Sequence, residues 1–177
     1  KKKKNLQIAA LNEDAQMYSN AYEKFKEAYA KAPSEGIILF NWASTIFDQA
    51  YAFQEQGGLS PEKTQELKEL YQQMFDILND AIRIISSTVD PDLYSRAQNN
   101  WASGLIALGK LIGEECDAHW EEAQKHLGEA EQALPGSGSY NMACLQCIKG
   151  ENTDTIKSWL ERAKAHNKLP NGEAMMT

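Results

Sequence analysis

An all-α chain assembled from repeated two-helix blocks is what the sequence predicts, and three observations predict it. Asn41-Trp42-Ala43-Ser44 returns as Asn100-Trp101-Ala102-Ser103 and, more loosely, as Asn141-Met142-Ala143-Cys144. A polar, a large apolar and a small residue in fixed order describe one helix face used repeatedly. Between the copies, apolar residues recur at helical spacing and no stretch reads convincingly as a strand. The breaks fall at Pro33, Gly57-Gly58, Asp90-Pro91, Gly113, Pro135 and Gly150, all residues that stop or restart helices.

In chain order, Ile8, Ala9, Ala21, Phe25 and Ala28 recur at helical spacing between Leu6 and Pro33. Asn12 to Gln16 reads as a polar break, which predicts a first helical hairpin over 6–33. A helix from Ser34 or Glu35 to Gln56 follows, carrying Asn41-Trp42-Ala43 and ended by Gly57-Gly58. Ser60 is the expected N-cap of the next helix, with Pro61 at the first position, where its missing N–H is harmless. That helix keeps a one-sided stripe of Leu67, Leu70, Tyr71, Met74, Leu78, Ala81, Ile82 and Ile85 and ends near 86–89. Asp90-Pro91 restarts the chain into a helix reaching Ile112, with Gly113 as its stop and a partner helix over Asp117 to Leu134. The last hairpin is short: Ser139 to Lys149, a turn at Gly150-Glu151-Asn152, then Asp154 to Ala165. Residues 1–5 read as a basic tail, 6–170 as one helical domain and 171–177 as a second tail.

Ala21, Phe25, Ala28 and Pro33 stand at the intervals of the second helix of a tetratricopeptide repeat, which this segment resembles. Counting back places Gln7 where Asn41 stands in the next unit, 34 residues on, and 34 is the period of that family. Ala123, Leu127, Ala130 and Pro135 repeat the pattern; Met74, Leu78 and Ala81 stand in for it more loosely. The intervals from Asn41 to Asn100 and from Asn100 to Asn141 are 59 and 41 residues, so the second and third units are expanded. The resemblance implies an α-solenoid, a right-handed superhelix of about four hairpins spanning Leu6 to Pro170.

It also implies a non-catalytic scaffold or adaptor whose concave groove holds a protein or peptide partner. The repeat position of Gln7, Asn41, Asn100 and Asn141 points into that groove in the family. A carboxamide offers a donor and an acceptor together, so a row of them suits the backbone of an extended peptide. By the same count Phe40, Ser44, Phe47, Asp48, Arg96, Asn99, Ser103, Tyr140 and Cys144 fall near the groove. The competing reading is that these amides bond neighbouring helices, since most side-chain hydrogen bonds go to backbone or water. Trp42 and Trp101 are expected as wedges between helices. Only Arg96 is basic among the comparable inner positions, which argues against a clamp for an acidic C-terminus.

Charge narrows the partner. The 177-residue chain has a formal net charge of −7, which disfavours nucleic acid and suits a basic or neutral peptide. Lys1 to Lys4 are the one basic run, suited to a solvated tail or to the flank of a membrane anchor outside this sequence. The apolar run from Gly36 to Phe47 stops at Asp48, short of a membrane span. Three cysteines do not make a disulfide framework and fit a reducing intracellular compartment. The alternative function is a metal- or redox-dependent protein using Cys116, His119, Cys144 and Cys147; against it, Cys144 and Cys147 fall inside a helix rather than on a knuckle turn. No catalytic constellation, cofactor or metal is expected, and self-association through exposed terminal faces is a further possibility.

Overall fold

A computed structural model describes the backbone of residues 2–113 and 116–170, and side chains from residue 16 onward within those ranges. The described residues form seven helices and no strand: α1 (Lys2–Lys31), α2 (Gly36–Glu55), α3 (Pro61–Ile84), α4 (Pro91–Ile112), α5 (Asp117–Ala133), α6 (Ser139–Ile148) and α7 (Thr153–Ala165). None of them is long and apolar enough to cross a membrane. They fall into two compact units, 1–84 and 85–177. The expected tail over 171–177 lies outside the described residues.

The boundaries of α2 to α7 follow the sequence punctuation. Ser60 Oγ accepts from the Lys63 N–H at 3.3 Å ahead of α3. Asp90 caps α4 by accepting from the Leu93 N–H at 2.9 Å, and Asn152 caps α7 through the Thr155 N–H at 2.9 Å. Gly113 closes α4 at φ 80°.

The first segment departs from expectation. α1 runs unbroken through Asn12 to Gln16 and includes Lys2 to Asn5, so the described residues form three two-helix hairpins preceded by one long helix. The reason is local. From Lys2 to Lys31 there is no Gly or Pro, and polar residues such as Asn and Asp weaken a helix interior by only about 0.7 kcal/mol each. Polarity alone does not break a helix that lacks a conformational stop.

In the first unit, α2 buries Leu39, Phe40, Ala43, Ile46 and Ala50. Facing them, α3 buries Leu67, Tyr71, Met74, Leu78 and Ala81, the predicted stripe. The Tyr71 hydroxyl donates to Gln54 Oε1 at 2.7 Å, joining α3 to α2 inside this core. α1 packs on α2 through Phe25, whose ring stacks on Trp42 at 6.4 Å, and through the Tyr22–Gln49 hydrogen bond.

In the second unit, α5 packs on α4 and buries Ala123, Leu127 and Ala130, while α6 packs on α5, α4 and α7. One carboxylate organises the turn between α5 and α6. Glu131, 7% exposed, accepts from the N–H of Gly136 (3.0 Å), the N–H of Gly138 (2.8 Å), the Ser139 hydroxyl (2.7 Å) and Arg162 Nε of α7 (2.7 Å). The turn itself demands glycine. Gly136 sits at φ +86°, and a Cβ there would lie 2.3 Å from His166 Cβ; a Cβ on Gly138 would lie 2.5 Å from the Leu127 carbonyl oxygen.

Burial pushes the Glu131 carboxyl up, but the donors from Ser139, Arg162 and Gly136 and the Arg162 charge outweigh it, leaving a net shift below the ordinary value. A depressed folded-state pKa stabilises above the unfolded-state value of about 4.3 and loses that contribution as pH falls through the folded value. Glu131→Ala is expected to lower urea-unfolding stability by about 3 kcal/mol at pH 7, as it strands buried N–H donors and the guanidinium. The gap between wild type and variant should narrow progressively below about pH 4.3; a gap independent of pH would show that the ionised carboxylate is not what holds the turn.

Candidate functional site

The predicted groove positions do not share one fate. On α2, Asn41 is exposed and its side chain makes no hydrogen bond with a described residue. Ser44 donates to the Phe40 carbonyl at 2.9 Å, Phe47 stacks on Tyr51 at 5.9 Å, and Asp48 is exposed. Phe40, placed near the groove by the same count, is 4% exposed: three residues before Ala43, it falls on the same buried face. Gln7 lies among the residues whose side chains fall outside the description.

On α4 and α6 of the second unit the amides pair with one another. Asn99 Nδ2 donates to the carbonyls of Ser95 (3.1 Å) and Ser137 (2.9 Å), and Asn141 Nδ2 donates to Asn99 Oδ1 at 3.2 Å. Asn99 and Asn141 thus tie α4, α6 and the turn before α6 together, the competing reading that the sequence left open. Asn100 and Ser103 are half-buried on α4, and Arg96 is exposed beside Asp92 at 4.0 Å. On α6, Tyr140 is half-buried; the neighbouring Cys144, through charge and hydrogen bond, and then burial push its phenol above the ordinary value.

Both tryptophans of the repeated tetrapeptide face neighbouring helices. Trp42 lies on Phe25 of α1, and Trp101 lies on the His126 ring of α5 with centroids 4.5 Å apart and planes at 17°. Behind Trp101 runs a polar network missed by sequence reasoning. His126 Nδ1 meets Gln98 Oε1 at 2.5 Å, and Gln98 Nε2 donates to Glu129 Oε2 at 2.7 Å. The Tyr94 hydroxyl donates to the same Glu129 oxygen at 3.2 Å. Gln98 is 1% exposed, so its amide needs both partners, and His126 as neutral ring donor and Glu129 as acceptor supply them. A signal was present: Gln98 follows buried Ala97 on α4, and His126 stands three residues after Ala123 on the apolar side of α5.

The four residues of the metal or redox alternative differ in environment. Cys116 is buried, Cys144 half-buried and Cys147 exposed, and all three are free thiols. Among the described residues no group of three or more His, Cys, Asp and Glu side chains is placed to hold a metal ion.

Burial holds the His126 imidazole below its ordinary pKa, against the opposing pull of Glu129 and Glu122. For a base with a depressed folded-state pKa, stability is full above the unfolded value of about 6.5 and falls as pH drops below it, because the unfolded chain binds the proton first. The His126 ring resonances are therefore expected to titrate with a midpoint below 6.5, and His126→Gln to flatten stability between about pH 5 and 7. A midpoint at or above the ordinary value would refute the buried, neutral donor assigned here. Compared with family models, with curated proteins and with solved structures, the chain has no match.

Proposed function

We infer that the chain is a non-catalytic protein-interaction module, a tetratricopeptide-like helical-repeat scaffold that holds a peptide or protein partner against the first helices of its hairpins. The observation that carries this reading is the Asn141–Asn99 bond between α4 and α6. It joins the first helix of one hairpin to the first helix of the next, the neighbour relation from which a helical-repeat surface is built. α3 and α4 spend their apolar stripes on packing and leave polar side chains on the remaining face. In the second unit the side chains of Asn100, Ser103 and Tyr140 are half-buried and carry hydrogen-bonding groups; in the first, Asn41 is exposed. Groups of this kind, donors and acceptors together, suit a peptide backbone.

The reading is tested by panning the immobilised chain against a displayed library of random dodecapeptides and measuring the enriched peptides by fluorescence anisotropy. An Asn100→Ala/Ser103→Ala variant is expected to bind them at least tenfold more weakly, equivalent to about 1.4 kcal/mol, with its circular dichroism spectrum unchanged. Failure to enrich any peptide, or equal affinity for the variant, removes this reading.

A further inference from the structure

Glu129 stands apart from the other partly buried acid of the second unit. Glu131 is answered by a guanidinium; Glu129 takes two neutral donors, both on Oε2, and no described residue donates to Oε1 or stands within ion-pair distance. Lys125, one turn earlier on α5, is exposed and forms no ion pair with a described residue. Both donors are held in place. Burial foremost, and the Glu129 charge with it, push the Tyr94 phenol up despite the opposing Gln98 hydrogen bond, so it stays protonated. The Gln98 amide is fixed by His126.

This carboxylate opens into a cleft of about 540 Å³ lined by Ser87, Thr88, Tyr94, Glu129, Gln132 and Ala133. That volume falls within the roughly 300–1,000 Å³ of ligand sites. One rim is set by the turn after residue 85, where Ser86 Oγ accepts from the N–H groups of Thr88 and Val89, both at 3.3 Å. Among the described residues of the lining, Glu129 is the only charged side chain, and it shares the cleft with hydroxyl and amide groups.

We propose that this cleft is a docking pocket for an arginine side chain of a basic partner segment, with Glu129 as the carboxylate that receives the guanidinium. A planar guanidinium carries five N–H donors and an ammonium three, so the former suits a lining that offers a carboxylate together with hydroxyl and amide oxygens. The net charge of −7 draws such a segment toward the chain, and the single oriented carboxylate selects where it settles. The pocket takes from the preceding reading only that the partner is a protein, and its chemistry is read out without that partner.

The experiment titrates the ¹⁵N-labelled chain with N-acetyl-arginine-N-methylamide, with the lysine analogue and with the norleucine analogue. The arginine probe is expected to shift the amide resonances of Thr88, Glu129 and Gln132 saturably, the lysine probe several-fold more weakly and the norleucine probe not at all. Glu129→Gln should abolish the shifts, while Glu122→Gln, on the same helix, should leave them intact. Shifts spread evenly over the acidic surface, or equal in Glu129→Gln and wild type, overturn the pocket. Peptides enriched in the panning that bind independently of Glu129 leave the interaction module standing without it.

Discussion

A buried carboxylate that gathers two backbone N–H groups, a hydroxyl and a guanidinium holds the second unit in register. Glu131 is placed by α5, its glycine donors by the turn, its serine donor by the first residue of α6 and Arg162 by α7, so one side chain joins three successive helices. Desolvating a carboxylate is costly, and the cost is met only when every lone pair finds a donor. The turn is shaped to supply them. The left-handed Gly136 and the closely packed Gly138 bring two N–H groups toward one point, which no residue with a Cβ would allow there. Asn99 Nδ2 on the Ser137 carbonyl closes the same turn from the side of α4.

Helix boundaries were legible because they are written in residues with a local physical effect. Gly, Pro and capping side chains act within a turn of where they stand, so Asp90-Pro91, Gly113 and Asn152 mark the ends of real helices. The stripe from Leu67 to Ala81 was legible for the same reason, its period being a property of one helix. The first segment was misread where a run of polar residues was given the weight of a breaker. Helix interiors tolerate polar side chains that reach solvent, and only a backbone obstacle compels a turn.

The candidate site was less legible, since its contents are set by tertiary partners. An asparagine at a repeat position is compatible with a groove or with a seam, and the acceptor that Asn141 finds is Asn99, 42 residues away. Phe40 and Asn41 are adjacent in sequence and opposite in fate, one packed and one exposed, because about 100° of helix rotation separates them. Gln98 and His126 were passed over for the converse reason. Each is polar on an otherwise apolar face, and two such residues that find each other make a network that fixes one pairing of α4 with α5.

The same arrangement also supports the two shortest helices. α6 and α7 have 10 and 13 residues, lengths at which isolated helices are marginal in water. Their order must come from packing and from the pinned turn. Ser139, which donates to Glu131, is the first residue of α6; Tyr140 and Asn141 follow it directly. The start of the helix that carries those side chains is thus pinned by a buried carboxylate of α5. A change at Glu131 acts on the support of α6, whereas a change at Asn100 removes a half-buried side chain of α4 itself. The two differ in what they cost the fold, as loss of the pinned turn strands buried donors at Gly136, Gly138 and Ser139 and leaves Arg162 without its carboxylate, and changes at buried polar networks are among the most destabilising.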